Sequence, residues 1–454
     1  MEPLPAKFIE RIQQQFPNEW ENLVSALNSK PPVSIRINKR KLQNFPGKYK
    51  KVPWSYSGIY LPERPVFTLD PLFHSGVYYP QEAASMVIEY IASNLKNSFT
   101  EPPHYILDAA AAPGGKTLIL SDIFNESIVF ANEIVTKRAE ILTDNVARWG
   151  AENIIVTNND TQDFQKYKGL FDVILLDAPC SGEGMFRKDL NARKEWSEEN
   201  AFNCVVRQEE ILHNILPLLK SGGYLIYSTC TFNPDENEQL MQKMFNNDFR
   251  FISMDELIKF GITKVENGLG YQFLPHKTQS EGFFVSVWKN NNQSSSGIKP
   301  KKKKKTTVEK NTNLPFSLPG NKKIITLHND TLFAVPDSLD EHLLKTINVK
   351  YAGIKLGKQI KNKFKPAAEV ALSRTLKNIY PHINLNYQNT LQYLKGNTNF
   401  TLPSGNSKGY YIITYHNHPV GLIHHLGNRF NNLHPKPWRI KMNIPENQQE
   451  ILLF

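Results

Sequence analysis

From about residue 104 onward, short apolar runs rich in Ile, Leu, Val and Phe alternate with longer stretches in which apolar side chains return every three or four positions. The runs HYILDA (104–109), SIVFANE (127–133), NIIVTNND (153–160), FDVILLDAP (171–179) and GGYLIYSTC (222–230) predict strands. Between them, KTLILSDIF (116–124), TKRAEILTDNVARWG (136–150) and EENAFNCVVRQEEILHNILPLL (198–219) carry helical periodicity. Strand and helix alternating over this length predict an α/β fold, a doubly wound Rossmann-like parallel sheet with ligands at the carboxyl ends of its strands. QFLPH and GFFVSVW, between residues 272 and 288, predict closing antiparallel strands.

The pattern changes at both ends. Residues 1–70 form a mixed lead-in with two short helical patterns and a Pro-rich stretch, and residues 71–290 carry the sheet. Residues 291–325 are polar, lack hydrophobic period and hold five consecutive lysines, Lys301 to Lys305, which predicts a linker whose lysine run is a nuclear-import-like patch, an RNA-gripping tether or a solvated spacer. Residues 326–454 return to short alternating runs (TLFAVPD, GYYIITYHNHPVGLIHH) that predict a smaller β-rich domain.

Composition narrows the class. Of 454 residues 40% are hydrophobic and 21% charged, which suits a folded chain rather than a disulfide-stapled scaffold. No apolar run approaches the roughly 18 residues a membrane span needs. The N-terminus has acids and amides where a secretory signal would be apolar, so a cytoplasmic location is expected. The three cysteines, Cys180, Cys204 and Cys230, are dispersed and form no CxxC pair; neither a disulfide framework nor a metal site is expected. Net charge is +11, but residues 1–290 hold 30 Lys and Arg against 35 Asp and Glu, and residues 291–454 hold 24 against 8. A basic C-terminal part of that size points to a polyanion, nucleic acid first, with solubility as the plainer explanation.

The segment Asp108, Ala109, Ala110, Ala111, Ala112, Pro113, Gly114, Gly115, Lys116 lies at a strand-to-helix junction, where small residues let backbone approach a ligand. A phosphate loop would need Gly at position 110, and a dinucleotide fold would need GxGxxG; neither is present. S-adenosylmethionine instead asks for carboxylates at successive strand ends. Asp108, Glu133, Asp160 and Asp177 supply that series: Glu133 for ribose hydroxyls, Asp160 for the adenine amino group, Asp108 and Asp177 for the methionine amine and sulfonium. Arg138 is placed in the same cofactor-binding set. Ordinary helix capping is the alternative for any single acid. Cys180 and Cys230 follow neighbouring predicted strands and are expected to face one crevice, whereas Cys204 falls in a helical pattern as a buried structural thiol.

DAAAAPGGKT, DAPCSGEGMFRKD, STCTFNPDENE and LPHKTQSEGFF resemble the successive motifs of the Sun/Fmu (NOL/NOP/Sun) family of S-adenosylmethionine-dependent RNA (cytosine-5)-methyltransferases. SIRIN (34–38) and HSGVYYPQEAAS (74–85) are similar to family landmarks, and residues 351–373 and 421–440 resemble the PUA-like region of RsmF-type ribosomal RNA members. The resemblance implies methyl transfer to carbon 5 of a cytosine in RNA, ribosomal RNA of the small subunit before tRNA, by a monomer whose residues 1–70 and 326–454 contact RNA. It implies Cys230 as nucleophile at carbon 6, Asp177 as the acid at ring nitrogen 3, and Cys180 as the residue of release, either the base itself or its positioner. Lys116 would favour the thiolate or else face solvent as a helix-start residue. Phe186 and Phe232 stack the base or pack the core, Arg187 and Lys188 grip a flanking phosphate, and His276 faces RNA or holds a turn. A DNA enzyme would place its nucleophile in a single PC motif; a noncatalytic assembly factor would need neither cysteine.

Overall fold

The computed structural model describes residues 2–42, 47–245, 247–292, 314–361, 363–403, 405–445 and 448–451. The lysine run Lys301 to Lys305 lies outside them.

Five parallel strands form the centre of a ten-stranded sheet, in the spatial order Leu219–Thr229, Phe171–Asp177, Tyr105–Asp108, Ile128–Asn132 and Ile154–Thr157. Phe283–Asn290 pairs antiparallel with Leu219–Thr229, and Tyr271–Phe273, Thr263–Lys264 and Phe249–Phe251 complete that side. The expected α/β sheet is therefore present with its closing strands. Every residue of Tyr105–Asp108, Ile128–Asn132 and Ile154–Thr157 is buried, so both faces are covered. Ile106, Val129, Ile155, Val173, Ile174, Leu225 and Ile226 are all fully buried. At roughly 1.5–3 kcal/mol for each such side chain, this interior outweighs the cost of carrying buried acids at its rim.

The opposite edge of the sheet departs from the sequence-based division. Val349–Ala352, assigned above to a separate C-terminal domain, pairs antiparallel with Ile154–Thr157 as the outermost strand of the core sheet. Its apolar face decides the placement: Val349 and Tyr351, with Leu343 and Ile347 before them, join the main core. The first boundary is also crossed, because Val33–Ile37 pairs with Gly58–Leu61 on one side and Tyr78–Pro80 on the other. Further on, Lys322–Leu327 already begins a four-stranded sheet within the stretch expected as linker, joined by Thr331–Pro336, Ile354–Ile360 and Lys363–Pro366.

A last sheet comprises His382–Asn384, Gly409–Tyr415, His418–His425 and Phe430–Asn432. It shares one hydrophobic core with the N-terminal sheet: Ile35, Ile37, Ile59 and Tyr78 lie in one cluster with Ile383, Tyr393, Ile413 and Ile423. Tyr387 Oη donates to the Leu69 carbonyl at 2.9 Å across this junction. Asp122, on the core helix Gly115–Ile123, ties both ends down by pairing with Arg36 (3.0 Å) and Arg374 (2.6 Å). Among the described residues no helix is long and apolar enough to cross a membrane.

Candidate active site

At the carboxyl end of Tyr105–Asp108 the chain passes through residues 109–114 and turns into the helix Gly115–Ile123. Gly114 sits at φ +115°, a backbone conformation open to glycine. The loop is held by its neighbours. Ala109 N–H donates to the Leu175 carbonyl at 2.9 Å and Ala111 N–H to the Asn132 carbonyl at 2.7 Å. Arg138 Nη2 donates to the Ala112 carbonyl and Asn145 Nδ2 to that of Pro113, each at 2.8 Å. The position of the cradle is thus set by strand ends and by the helix Thr136–Trp149 rather than by its own sequence.

All four acids lie where the pattern placed them, at or just past strand ends. Asp108 is buried; its Oδ2 accepts from the Thr117 hydroxyl at 2.6 Å and its Oδ1 has no partner. Burial pushes its carboxyl up to about 7. Glu133 is buried, with Oε1 accepting from Val135 N–H at 2.9 Å. Arg138 Nη1 stands 3.2 Å from Glu133 Oε2 but out of line, leaving that oxygen without a hydrogen bond. Asp160 is exposed and accepts from Gln162 N–H at 2.9 Å, so here the capping alternative is realised. Asp177 accepts from the Ser228 hydroxyl at 2.8 Å and pairs with Lys116 at 2.7 Å. Two buried carboxylate oxygens with nothing to accept from fit a ligand carrying hydroxyl donors and a positive charge, as S-adenosylmethionine does.

The two thiols meet beside these acids. Cys180 follows Phe171–Asp177, Cys230 follows Leu219–Thr229, and these strands are hydrogen-bonded neighbours. Their Sγ atoms are 3.0 Å apart, and Cys230 N–H donates to Cys180 Sγ at 3.3 Å. The hydrogen bond to Cys230, together with burial, raises the Cys180 thiol well above its ordinary range. The two sulfurs therefore face one another in a single hydrogen bond at the ends of neighbouring strands. Lys116 does not face solvent. Burial would lower its ammonium, but the Asp177 carboxylate, with the nearby Cys230 adding to it, leaves it above its usual value.

Two buried acids that the motif reading passed over hold the thiol loops. Glu236 Oε2 accepts from Ser181 N–H (2.9 Å) and from Gln208 Nε2 (3.0 Å), joining the loop after Cys230 to the one after Cys180. Glu183 accepts from Phe232 N–H (3.1 Å) and Trp196 Nε1 (3.0 Å) and pairs with Arg11 at 2.5 Å. Both acids stand inside the quoted motifs; an acid in a Gly- or Pro-containing loop between apolar runs was the available signal. Gly184 allows the crossing of these loops, since a Cβ there would meet the Gly282 carbonyl oxygen at 2.2 Å.

Packing decides several of the alternatives left open. Phe186 and Phe232 are fully buried with Phe8, Ile12, Leu27 and Leu274, so they are core and cannot stack a base. Arg187 is turned inward, paired with Glu281 at 3.1 Å and donating to the Ser280 carbonyl at 2.6 Å, and is not free for phosphate; Lys188 is exposed. His276 holds Glu19 at 3.2 Å, a structural contact to the N-terminal region. Cys204 is half-buried rather than enclosed, and burial still pushes its thiol up to about 11. Among the described residues no cluster of three or more His, Cys, Asp or Glu is arranged to hold a metal ion.

Comparison with known proteins matches three family models: 16S rRNA methyltransferase RsmB/F over residues 98–289, the N-terminal domain of 16S rRNA methyltransferase RsmF over 4–83, and the methyltransferase RsmF PUA domain over 380–440. The chain is 30% identical to ribosomal RNA small subunit methyltransferase F of Pectobacterium atrosepticum, with 95% of each chain covered. It is likewise 30% identical to the protein of that name from Shewanella loihica, covering 96% of this chain and 95% of the other. Among solved structures, a methyltransferase homologue from Pyrococcus horikoshii superposes with a TM-score of 0.53 at 27% identity, over 63% of this chain and 95% of that one.

Proposed function

The chain belongs to the ribosomal RNA small subunit methyltransferase F family, and from that membership we propose that it methylates carbon 5 of a cytosine in small-subunit ribosomal RNA, with S-adenosylmethionine as methyl donor and Cys230 as covalent nucleophile. The observation that carries the chemistry is the 3.0 Å approach of Cys180 and Cys230, beside the Lys116–Asp177 pair.

When bound, S-adenosylmethionine supplies an electrophilic methyl group on a sulfonium. Asp108 and Glu133 would hold it through their inward-facing oxygens, the backbone of residues 109–115 and Arg138 would line it, and Asp160, which caps Gln162 through Oδ1, would keep its other oxygen for the adenine amino group. Cys230 Sγ adds to carbon 6 of the cytosine, and the displaced π electrons make carbon 5 nucleophilic. Asp177 is the acid that meets the negative charge gathering at ring nitrogen 3, and the Lys116 ammonium, 2.7 Å from its carboxyl, adds positive charge there. Once carbon 5 has taken the methyl group, leaving the donor sulfur as a neutral thioether, the carbon-5 hydrogen is taken as a proton by Cys180 or by a base that it positions, the C5–C6 double bond re-forms and Cys230 leaves as the thiolate. Cys180, hydrogen-bonded to the departing sulfur, serves that release. Lys188 is the exposed cation beside these loops that meets a flanking phosphate.

The order of events gives the two cysteines opposite phenotypes. Cys230→Ala forms neither adduct nor product. Cys180→Ala forms the adduct and transfers the methyl group but releases poorly, so protein stays attached to methylated RNA. On a denaturing gel of each variant with S-adenosylmethionine and unmodified ribosomal RNA, a nuclease-sensitive shifted band is expected for Cys180→Ala alone. Full activity in both variants would end the thiol mechanism.

A further inference from the structure

The strand Val349–Ala352 does more than cover an edge of the sheet, because the residue before it enters the loop that follows Ile154–Thr157. Asn348 makes four hydrogen bonds there. Its N–H donates to Asn159 Oδ1 at 2.8 Å, and its carbonyl accepts from Asn158 N–H at 2.9 Å and from Asn159 Nδ2 at 3.3 Å. Its own amide donates to the Asn158 carbonyl at 3.3 Å.

Both asparagines it touches lead to cofactor-facing backbone. Asn158 Nδ2 donates to the carbonyls of Glu133 (2.7 Å) and Ile134 (2.9 Å). Asn159 N–H donates to Asn132 Oδ1 at 3.2 Å, and Asn132 Nδ2 reaches back to the carbonyls of Asn159 (3.0 Å) and Ala109 (3.4 Å). The loops holding Ala109, Glu133 and Asp160 are thus joined to one another, and Asn348 joins them to the C-terminal part of the chain. The segment is anchored just upstream, where Tyr167 Oη donates to the Leu343 carbonyl at 2.7 Å and Lys166 Nζ to that of Thr346 at 3.0 Å.

We infer that Asn348 is a positioning residue of the cofactor site: the C-terminal part of the chain orders the loops at the second and third strand ends and thereby sets the affinity for S-adenosylmethionine. The inference rests on the proposed function above. None of the three matching family models covers residues 290–379, where this contact originates. Since most of the bridge is backbone of Asn348, side-chain and backbone variants separate it. Asn348→Ala keeps all three main-chain bonds and changes affinity less than about twofold. Asn348→Pro removes the N–H, and Ile347 already has the extended backbone (φ −130°, ψ 154°) that a following proline requires. Asn159→Ala removes the side chain on the other half of the bridge.

The test is calorimetric titration of the full chain with S-adenosylmethionine, alongside steady-state kinetics on RNA. Asn348→Pro and Asn159→Ala are each expected to weaken cofactor binding about tenfold, the size of two lost hydrogen bonds. They raise KM for cofactor while leaving KM for RNA and kcat at saturating cofactor unchanged. The double variant binds less weakly than the product of the two single losses, because both remove the same bond from Asn348 N–H to Asn159 Oδ1. A merely structural role predicts a lowered melting temperature and an equal loss in kcat, which would overturn the inference. Unchanged affinity in folded Asn159→Ala would overturn it as well, and decides the matter should Asn348→Pro not fold. Failure of the unmutated chain to bind S-adenosylmethionine would instead remove the proposed function.

Discussion

Asp108 joins the chemistry of the site to the stability of the fold. Its carboxyl is near 7 in the folded chain and near 3.8 when exposed, so between those values the folded chain keeps a proton that the unfolded chain has released. Stability of the ligand-free protein therefore falls as pH rises from about 4 through about 7, and a bound cation that favours the ionised carboxylate restores it. Melting temperatures at pH 5.5 and 8 should differ more in the unmutated chain than in Asp108→Asn, and cofactor should narrow the gap. An equal drop in both would assign the pH dependence to other acids, such as Glu281 and the half-buried Glu238, which burial also pushes up to about 7. The strand-end acids were legible because their place follows from the strand pattern itself. Which alternative Phe186, Phe232 and Arg187 take was not, because a motif gives the neighbours of a residue along the chain but not which way it turns. Two of them are turned inward by Phe8 and Leu27, far away in sequence.

At the level of elements, the five parallel strands could be read directly from their apolar runs, since burial on both faces leaves no other pattern. The strand Val349–Ala352 could not: VKYA is short, and its place at the edge depends on Ile154–Thr157 being open on that side. The N-terminal helix Ala6–Gln15 has a similar hidden role. Arg11 pairs with Glu183, whose side chain is fully buried, and Gln15 Nε2 donates to the Phe232 carbonyl at 2.9 Å. The helix thus braces both thiol loops from outside the catalytic sheet. Arg11→Ala leaves a buried carboxylate short of its cation. Because the Arg11 side chain is a quarter exposed, the cost falls at the low end of the usual range, about 3 kcal/mol. The expected result is a lower melting temperature, part of which returns when Glu183→Gln is added. No recovery in the double variant would show that Arg11 acts through packing on Phe8 rather than through charge.

Taken as a whole molecule, the protein is less divisible than its charge distribution suggests. Net charge separates cleanly near residue 290, which invites cutting the chain there into a cofactor-binding part and an RNA-binding part. The cores do not follow that line: Val349 and Tyr351 complete the main one, and Ile383, Tyr393 and Ile413 complete the one begun by Ile35 and Ile37. A fragment of residues 1–290 is therefore expected to expose both seams, aggregate or melt without a sharp transition, and bind S-adenosylmethionine weakly. Retention of full affinity and a cooperative melt would show that the seams are dispensable. Sequence shows charge and local period well, but it does not show that two distant segments are halves of one interior. The shared core of the two chain ends also imposes an order in time. The strands Val33–Ile37 and Tyr78–Pro80 leave the ribosome about 300 residues before His382–Asn384 arrives, a wait of roughly 15–60 s at ~5–20 residues per second. Through that interval the N-terminal sheet lacks the apolar side chains of Ile383, Tyr393, Ile413 and Ile423 that complete its core, so that interior closes only once residues 382–423 have been made.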